Sequence, residues 1–187
     1  MLDWGVREID AVAIRLMLLR HAKSDWSKPG ERDHDRRLAS RGRESAPRIG
    51  AYMAGHGLVP DLVVCSTAAR ARETWELAAE AFAKPPRVVH DERIYANNPD
   101  VLLTLIKETE ASVHSLLLVG HNPSFQIFAD LMTASGHGDA RQRLREKFPT
   151  AALAVIDFPI DAWDAMHRQA GRLDRLITPR SLEEAPD

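Results

Sequence analysis

The 187-residue chain has few of the features that mark secreted, membrane-spanning or nucleic-acid-binding proteins. Its single cysteine excludes an internal disulfide framework and any zinc site built from cysteines alone. No apolar run approaches the roughly 20 residues needed to cross a bilayer, and the N-terminus lacks the apolar core of a signal peptide. The formal net charge of -2 gives no global reason to expect nucleic acid as a partner. We therefore expect a single-domain cytoplasmic protein that binds neither membrane nor nucleic acid.

Short apolar runs separated by helix-like segments predict one α/β domain. The runs occupy residues 14–19, 62–65, 88–89, 116–119 and 151–156. Continuous runs of this length are typical of strands that are buried on both faces. The predicted helices between them cover residues 41–55, 68–83, 99–109 and 123–134. This alternation predicts a three-layer α/β/α sandwich with a mostly parallel central sheet.

The domain is expected to span residues 13–179, between an N-terminal extension (1–12) and a frayed C-terminal tail (180–187). Residues 172–177 partly alternate between apolar and polar side chains, which indicates an edge strand. In the first helix, Ser40 is expected as the N-cap, and Pro47 is expected to kink the helix or delay its start.

Charged and polar side chains follow the predicted strands and mark a candidate site. Arg20 and His21 follow the first strand, Arg70 lies after the second, Glu92 after the third and His121 after the fourth. Ligands of parallel sheets gather at the carboxyl ends of the strands, so we expect these side chains to converge. Guanidinium groups form paired hydrogen bonds with the oxygens of phosphate. A neutral imidazole beside a phosphoryl group can attack phosphorus. The pattern therefore predicts phosphoryl transfer, in which a carboxylic acid is needed only for a poor leaving group.

Three segments in order along the chain resemble the signatures of the histidine phosphatase (phosphoglycerate mutase-like) superfamily. They are LRHAKSDWS at residues 19–27, STAARARET at 66–74 and VGHNP at 119–123. Two further segments are most similar to the SixA-like phosphohistidine phosphatase branch, DHDRRL at 33–38 and FPTAA at 148–152. The resemblance implies a phosphoglycerate mutase-like fold and a phosphatase that requires no metal ion or other cofactor.

The resemblance also implies a role for each matching residue. His21 matches the nucleophile that becomes phosphorylated, and Glu92 matches the position of the family's proton donor. The implied substrate-binding set is Arg20, Ser27, Arg70, His121 and Asn122. Within it, Ser27 stands where many relatives place a phosphate-contacting asparagine.

The substrate remains open at this stage. The resemblance implies phosphohistidine on a partner protein, such as a histidine phosphotransfer domain, whereas an acid at Glu92 would suit small phosphate esters. A non-catalytic phosphoryl-binding module and a mutase that depends on a bisphosphate primer are the alternatives. A cysteine phosphatase is disfavoured, because Arg70 and Arg72 follow Cys65 after four and six intervening residues and not after five.

Overall fold

A seven-stranded sheet forms the centre of the computed structural model, which describes residues 14–184. The strands are β1 (Ile14–Arg20), β2 (Leu62–Cys65), β3 (Arg87–His90), β4 (Ser115–Gly120), β5 (Thr133–Gly136), β6 (Leu153–Phe158) and β7 (Gly171–Ile177). Their order across the sheet is β3-β2-β4-β1-β6-β7-β5. Within the described residues only β6 runs antiparallel to its neighbours, which confirms the mostly parallel sheet. The predicted extension at residues 1–12 lies outside the described part of the chain, as do residues 185–187 of the predicted tail.

Helices connect the strands and cover both faces of the sheet. They are α1 (Ser40–Gly55), α2 (Ala69–Ala79), α3 (Pro99–Lys107), α4 (Ser124–Met132), α5 (Ala140–Glu146) and α6 (Pro179–Glu183). Between residues 14 and 184, no helix is both long and apolar enough to cross a membrane.

Two hydrophobic cores lie on opposite faces of the sheet, because successive residues of a strand point to opposite sides. On one face, Met17 and Leu19 of β1 belong to the core that includes residues of α1 and α2. On the other face, Leu16 and Leu18 belong to the core that includes residues of α3, α4 and α5. The predicted three-layer α/β/α arrangement is therefore confirmed.

Helix α1 has a different N-cap from the predicted one, and Pro47 does not delay its start. It begins at Ser40, with extended Ala39 as the capping residue, because the N–H groups of Gly42 and Arg43 already donate to the Ala39 carbonyl. The helix also continues through Pro47. Proline cannot donate to the carbonyl four residues before it, but the buried side chains of this helix pack in the core and hold the element together.

The C-terminal part of the domain departs most from the sequence prediction. Strand β5 and helix α5 were not predicted, because the segment Thr133–Gly136 has no apolar run and α5 has only seven residues. The final strand is confirmed as β7, which lies next to the edge and not at it. Residues 180–183 are helical and not frayed, since Thr178 and Ser181 form a reciprocal capping box at the start of α6.

Strand β6 begins at Leu153 and not at Ala151 as predicted. Ala151 has a left-handed backbone with φ of 58°. Its N–H donates to the carbonyl oxygens of Arg20 and His21, both at 3.1 Å. This turn therefore ties the start of β6 to the carboxyl end of β1, where the candidate site lies.

Candidate active site

The register of the parallel strands brings two histidines together at one edge of the sheet. Arg20 pairs with Gly120 across β1 and β4, so His21 and His121 are the next residues of adjacent strands. The His21 N–H donates to the Gly120 carbonyl at 2.9 Å. The two imidazole rings lie with their centroids 5.2 Å apart. The predicted convergence of these side chains is thus present in the fold.

The protonation state of His21 follows from its hydrogen bond. Nδ1 of His21 lies 2.7 Å from the carbonyl oxygen of Ala22. A carbonyl oxygen only accepts, so Nδ1 carries the proton and the lone pair is left on Nε2. Burial, together with the charges of Arg70 and Arg20, lowers the pKa of His21 to about 4. His21 is therefore a neutral imidazole at pH 7, with its nucleophilic nitrogen unprotonated.

His121 is held by Ser66, the residue that follows β2. Oγ of Ser66 lies 2.8 Å from Nε2 of His121 and accepts a hydrogen bond from the Ala68 N–H at 3.3 Å. The Ser66 hydroxyl can either donate to Nε2 or accept from it, because its oxygen has two lone pairs and one proton. Burial, with the nearby His21 and Arg70, lowers the pKa of His121 to about 3. Nδ1 of His121 is buried and has no hydrogen-bond partner within residues 14–184.

Arg70 enters the site from α2 and is paired with the loop that follows the first motif. Its guanidinium donates to the Asp33 carbonyl at 2.6 Å and to the Asp33 carboxylate at 3.0 Å. The same carboxylate accepts from the Tyr95 hydroxyl at 2.8 Å and from Arg36. Partial burial alone would raise the pKa of Asp33, but the hydrogen bond from Tyr95 and the charge of Arg70 hold it below its ordinary value. The ionised carboxylate of Asp33 therefore forms an ion pair with Arg70, the arginine that is expected to bind phosphate.

Arg20 and Asn122 share one backbone acceptor. Arg20 Nη1 donates to the Phe148 carbonyl at 2.8 Å, and Asn122 Nδ2 donates to the same oxygen at 3.1 Å. Asn122 also donates to Gln126 of α4 at 3.2 Å. Burial lowers the pKa of Arg20, yet a guanidinium remains charged at pH 7. The segment before β6 thus fixes two members of the predicted substrate-binding set.

Glu92 and Ser27 lie on the surface. Glu92 is exposed at the start of a 3-10 turn, Glu92–Ala96, that also carries Tyr95. Ser27 is exposed, and its backbone N–H donates to the Asp25 carboxylate at 2.8 Å. In the described part of the chain, no hydrogen bond joins either side chain to His21 or His121. The roles implied for Glu92 and Ser27 remain predictions.

Asp33 and Tyr95 are the site residues that sequence reasoning missed. Each lies in a segment that the sequence had marked, Asp33 in residues 33–38 and Tyr95 beside Glu92. The Tyr95 ring stands edge-on to His121 with the centroids 5.7 Å apart. His34, in the same loop as Asp33, contacts the Tyr95 ring, and its Nε2 lies 3.0 Å from the hydroxyl of Thr67. Only the path of the loop brings these side chains to the pocket, and no periodic pattern encodes that path.

Comparison with known proteins agrees with this geometry. Residues 16–95 match the model of the histidine phosphatase superfamily (branch 1). An uncharacterized protein of Mycobacterium leprae (strain TN) is 36% identical over 166 residues, which is 87% of this chain and 100% of that protein.

Two solved structures share the fold over most of the chain. One, from Agrobacterium tumefaciens and provisionally designated phosphohistidine phosphatase SixA, has a TM-score of 0.73 and 34% identity, covering 89% of this chain and 98% of that chain. The other, from Nakamurella multipartitia and with the same provisional designation, has a TM-score of 0.77 and 27% identity, covering 89% of this chain and 96% of that chain.

Proposed function

Because the chain belongs to the histidine phosphatase superfamily, we propose that it is a phosphatase that transfers the phosphoryl group of its substrate to His21 and then to water. The observation that best supports this is the state of His21, whose Nδ1–H is held by the Ala22 carbonyl while Nε2 keeps its lone pair. A buried neutral imidazole beside two guanidinium groups is suited to nucleophilic attack on phosphorus.

In the first step, the Nε2 lone pair of His21 forms a bond to phosphorus as the bond from phosphorus to the leaving group breaks. Charge spreads over the three equatorial oxygens, and Arg20, Arg70 and His121 stabilise it. Arg70 has five N–H donors, of which two are bonded to Asp33. The others are available to the phosphoryl oxygens.

In the second step, water attacks the phosphohistidine and the bond from Nε2 to phosphorus breaks. The products are inorganic phosphate and neutral His21, which is ready for another cycle. The guanidinium groups of Arg20 and Arg70 supply the stabilising positive charge and His121 contributes a hydrogen bond, so the proposed mechanism uses no metal ion.

The proposed substrate is phosphohistidine on a partner protein, such as a histidine phosphotransfer domain. The likeness to structures designated phosphohistidine phosphatases supports this choice. A phosphorus–nitrogen bond breaks more readily than a phosphate ester, so this substrate needs little acid catalysis. Glu92 is exposed, and within residues 14–184 no hydrogen bond joins its side chain to either histidine, which is consistent with that requirement. The cytoplasmic location expected from the sequence stays a prediction.

Trapping of the phosphoenzyme tests the proposal. The protein is mixed with radiolabelled phosphoramidate or a phosphohistidine-containing phosphotransfer domain, in buffer with EDTA, and quenched in alkali. We expect acid-labile label on His21 and none in His21→Ala. Cys65→Ser is the matched control and should keep its label, because burial raises the pKa of this thiol to about 12 and leaves it inert.

Label on a residue other than His21, or label that persists in His21→Ala, would contradict the mechanism. Label that forms only when EDTA is omitted from the buffer would contradict metal independence. A protein that binds phosphate but neither becomes labelled nor turns over any substrate would be a non-catalytic phosphoryl-binding module.

A further inference from the structure

A large cleft opens beside the candidate site and is separate from the two histidines. Its volume is about 850 Å³, and it lies between the ends of β1 and β7, helices α1, α5 and α6, and the segment before β6. Arg20 is the residue that the cleft shares with the phosphoryl site. A single phosphoryl group is far smaller than this space, which lies within the range of roughly 300–1,000 Å³ found for ligand clefts.

The cleft is strongly cationic although the whole chain carries a net charge of -2. Its basic lining residues are Arg20, Lys23, Arg41, Arg143, Lys147 and Arg180. The carboxylates that line it are Glu146 and Glu184, so six positive charges face two negative ones, a local excess of four.

Most of the excess positive charge is carried by three exposed side chains. Arg180 already pairs with Glu184 at 2.7 Å. Lys23, Arg41 and Lys147 are exposed, and within residues 14–184 no carboxylate lies within ion-pair distance of them. Unpaired cations around a concave surface focus a positive potential, which attracts anions.

We propose that this basic cleft binds a second anionic group of the substrate, apart from the phosphoryl group that His21 removes. The proposal rests on the proposed function, because it assumes that His21 acts on that substrate. Arg20 connects the two sites, since its backbone precedes His21 and its side chain lines the cleft. The second group is a carboxylate or a phosphate, both of which complement lysine and arginine side chains.

Calorimetry with inorganic phosphate and tripolyphosphate tests the cleft without requiring turnover. Phosphate carries one anionic group, whereas tripolyphosphate carries three linked groups, so one can lie at Arg20 while others bind cleft cations. We expect tripolyphosphate to bind about tenfold more tightly than phosphate, because each exposed ion pair contributes up to about 1 kcal/mol. Added salt should reduce this advantage, since exposed ion pairs are screened.

The double variant Arg41→Ala/Lys147→Ala should lose most of the advantage, leaving a ratio of about two. The matched control is Lys84→Ala/Lys107→Ala, which removes two exposed cations outside the cleft and should keep the tenfold ratio. A wild-type ratio near one, or an advantage that survives in the cleft variant, would overturn the proposal. The phosphoenzyme assay is independent of the calorimetry. A result that refutes anion binding in the cleft is therefore distinguishable from one that refutes the phosphatase mechanism.

Turnover then identifies the source of the anion. One pair of substrates is a phosphohistidine peptide flanked by glutamates and the same peptide flanked by glutamines. The other pair is a sugar bisphosphate and its monophosphate. A loss of kcat/KM in the cleft variant on the glutamate peptide alone assigns partner carboxylates, and a loss on the bisphosphate alone assigns a small metabolite. Equal kcat/KM values for wild type and cleft variant on all four substrates would refute a role in substrate recognition.

Discussion

The hydrogen bond from His21 Nδ1 to its neighbour's carbonyl fixes the imidazole without using another side chain. The ring orientation is therefore determined by the backbone conformation after β1. The second histidine is fixed differently, through the side chain of Ser66. Both histidines could be placed from the sequence, because each follows a recognisable apolar run and parallel strands end at a common edge.

Asp33 could not be placed in the same way, because the loop that carries it is held by long-range contacts. The Arg36 guanidinium lies 3.2 Å over the Trp26 ring, and Arg70 donates to Asp33 from α2. These contacts join three separate segments of the chain. Their energies depend on geometry and not on local sequence pattern.

Asp33→Asn should strengthen phosphate binding. The amide keeps an oxygen that accepts from Arg70 and Tyr95, but it removes a negative charge that repels an incoming phosphate. We expect the Kd for inorganic phosphate to fall about fivefold, as for the loss of one screened charge contact, measured by calorimetry at pH 7. Unchanged or weaker binding would mean that the Asp33 charge is needed to hold Arg70 in place.

Glu92→Gln separates two possible leaving groups. If Glu92 is a leaving-group acid, the variant loses hydrolysis of phosphate esters by roughly 100-fold, the lower range for general acid catalysis, and keeps activity on phosphohistidine. The rates of wild type and variant are compared on alkyl phosphates, whose alkoxide leaving groups require a proton. Equal rates for wild type and variant on both substrates would remove Glu92 from the mechanism.

At the scale of elements, the contact between α1 and α2 shows how closely the helical layer is packed. A Cβ added to Gly50 would overlap the backbone of Ala78 in α2, with the Cα atom of Ala78 at 2.7 Å. Gly55, at the end of the same helix, has no atom from another part of the fold within 4 Å of such a Cβ. The sequence indicated the helices by their apolar residues, but the distance between them depends on a glycine whose partner is distant along the chain.

Gly50 and Gly55 of α1 therefore give opposite predictions. Gly50→Ala should lower the free energy of unfolding by about 1–3 kcal/mol, the usual cost of overpacking. Gly55→Ala should leave it unchanged or raise it by up to about 1 kcal/mol, because alanine favours the helix over glycine. Urea denaturation of both variants measures the difference. Equal stabilities would show that α1 shifts freely against α2.

At the scale of the whole molecule, the buried histidines couple stability to pH. His21 is 8% exposed and has a pKa of about 4, whereas an unfolded histidine titrates near pH 6.5. Between these values the unfolded chain binds more protons than the folded chain. The free energy of unfolding therefore falls as the pH is lowered through this window.

Urea titrations from pH 7 to pH 4.5 measure this coupling. Wild type should lose about 2–3 kcal/mol relative to His21→Gln over the range, given 1.36 kcal/mol for each unit of pKa difference. The variant keeps a polar side chain but has no titrating ring. Parallel curves for the two proteins would contradict a neutral, buried His21.

Strand β6, the one strand of residues 14–184 that runs antiparallel to its neighbours, places a loop beside the candidate site. Because β6 runs opposite to β1, the edge of the sheet with the candidate site meets the beginning of β6 and the loop that precedes it, residues 147–152. This loop supplies the acceptor for Arg20 and one wall of the cleft. Surface loops tolerate insertions and changes of charge, while the pairing of β1 with β4 keeps the two histidines in register. The topology thus separates the two histidines, which the sheet holds in place, from a loop whose length and charge can change without disturbing them.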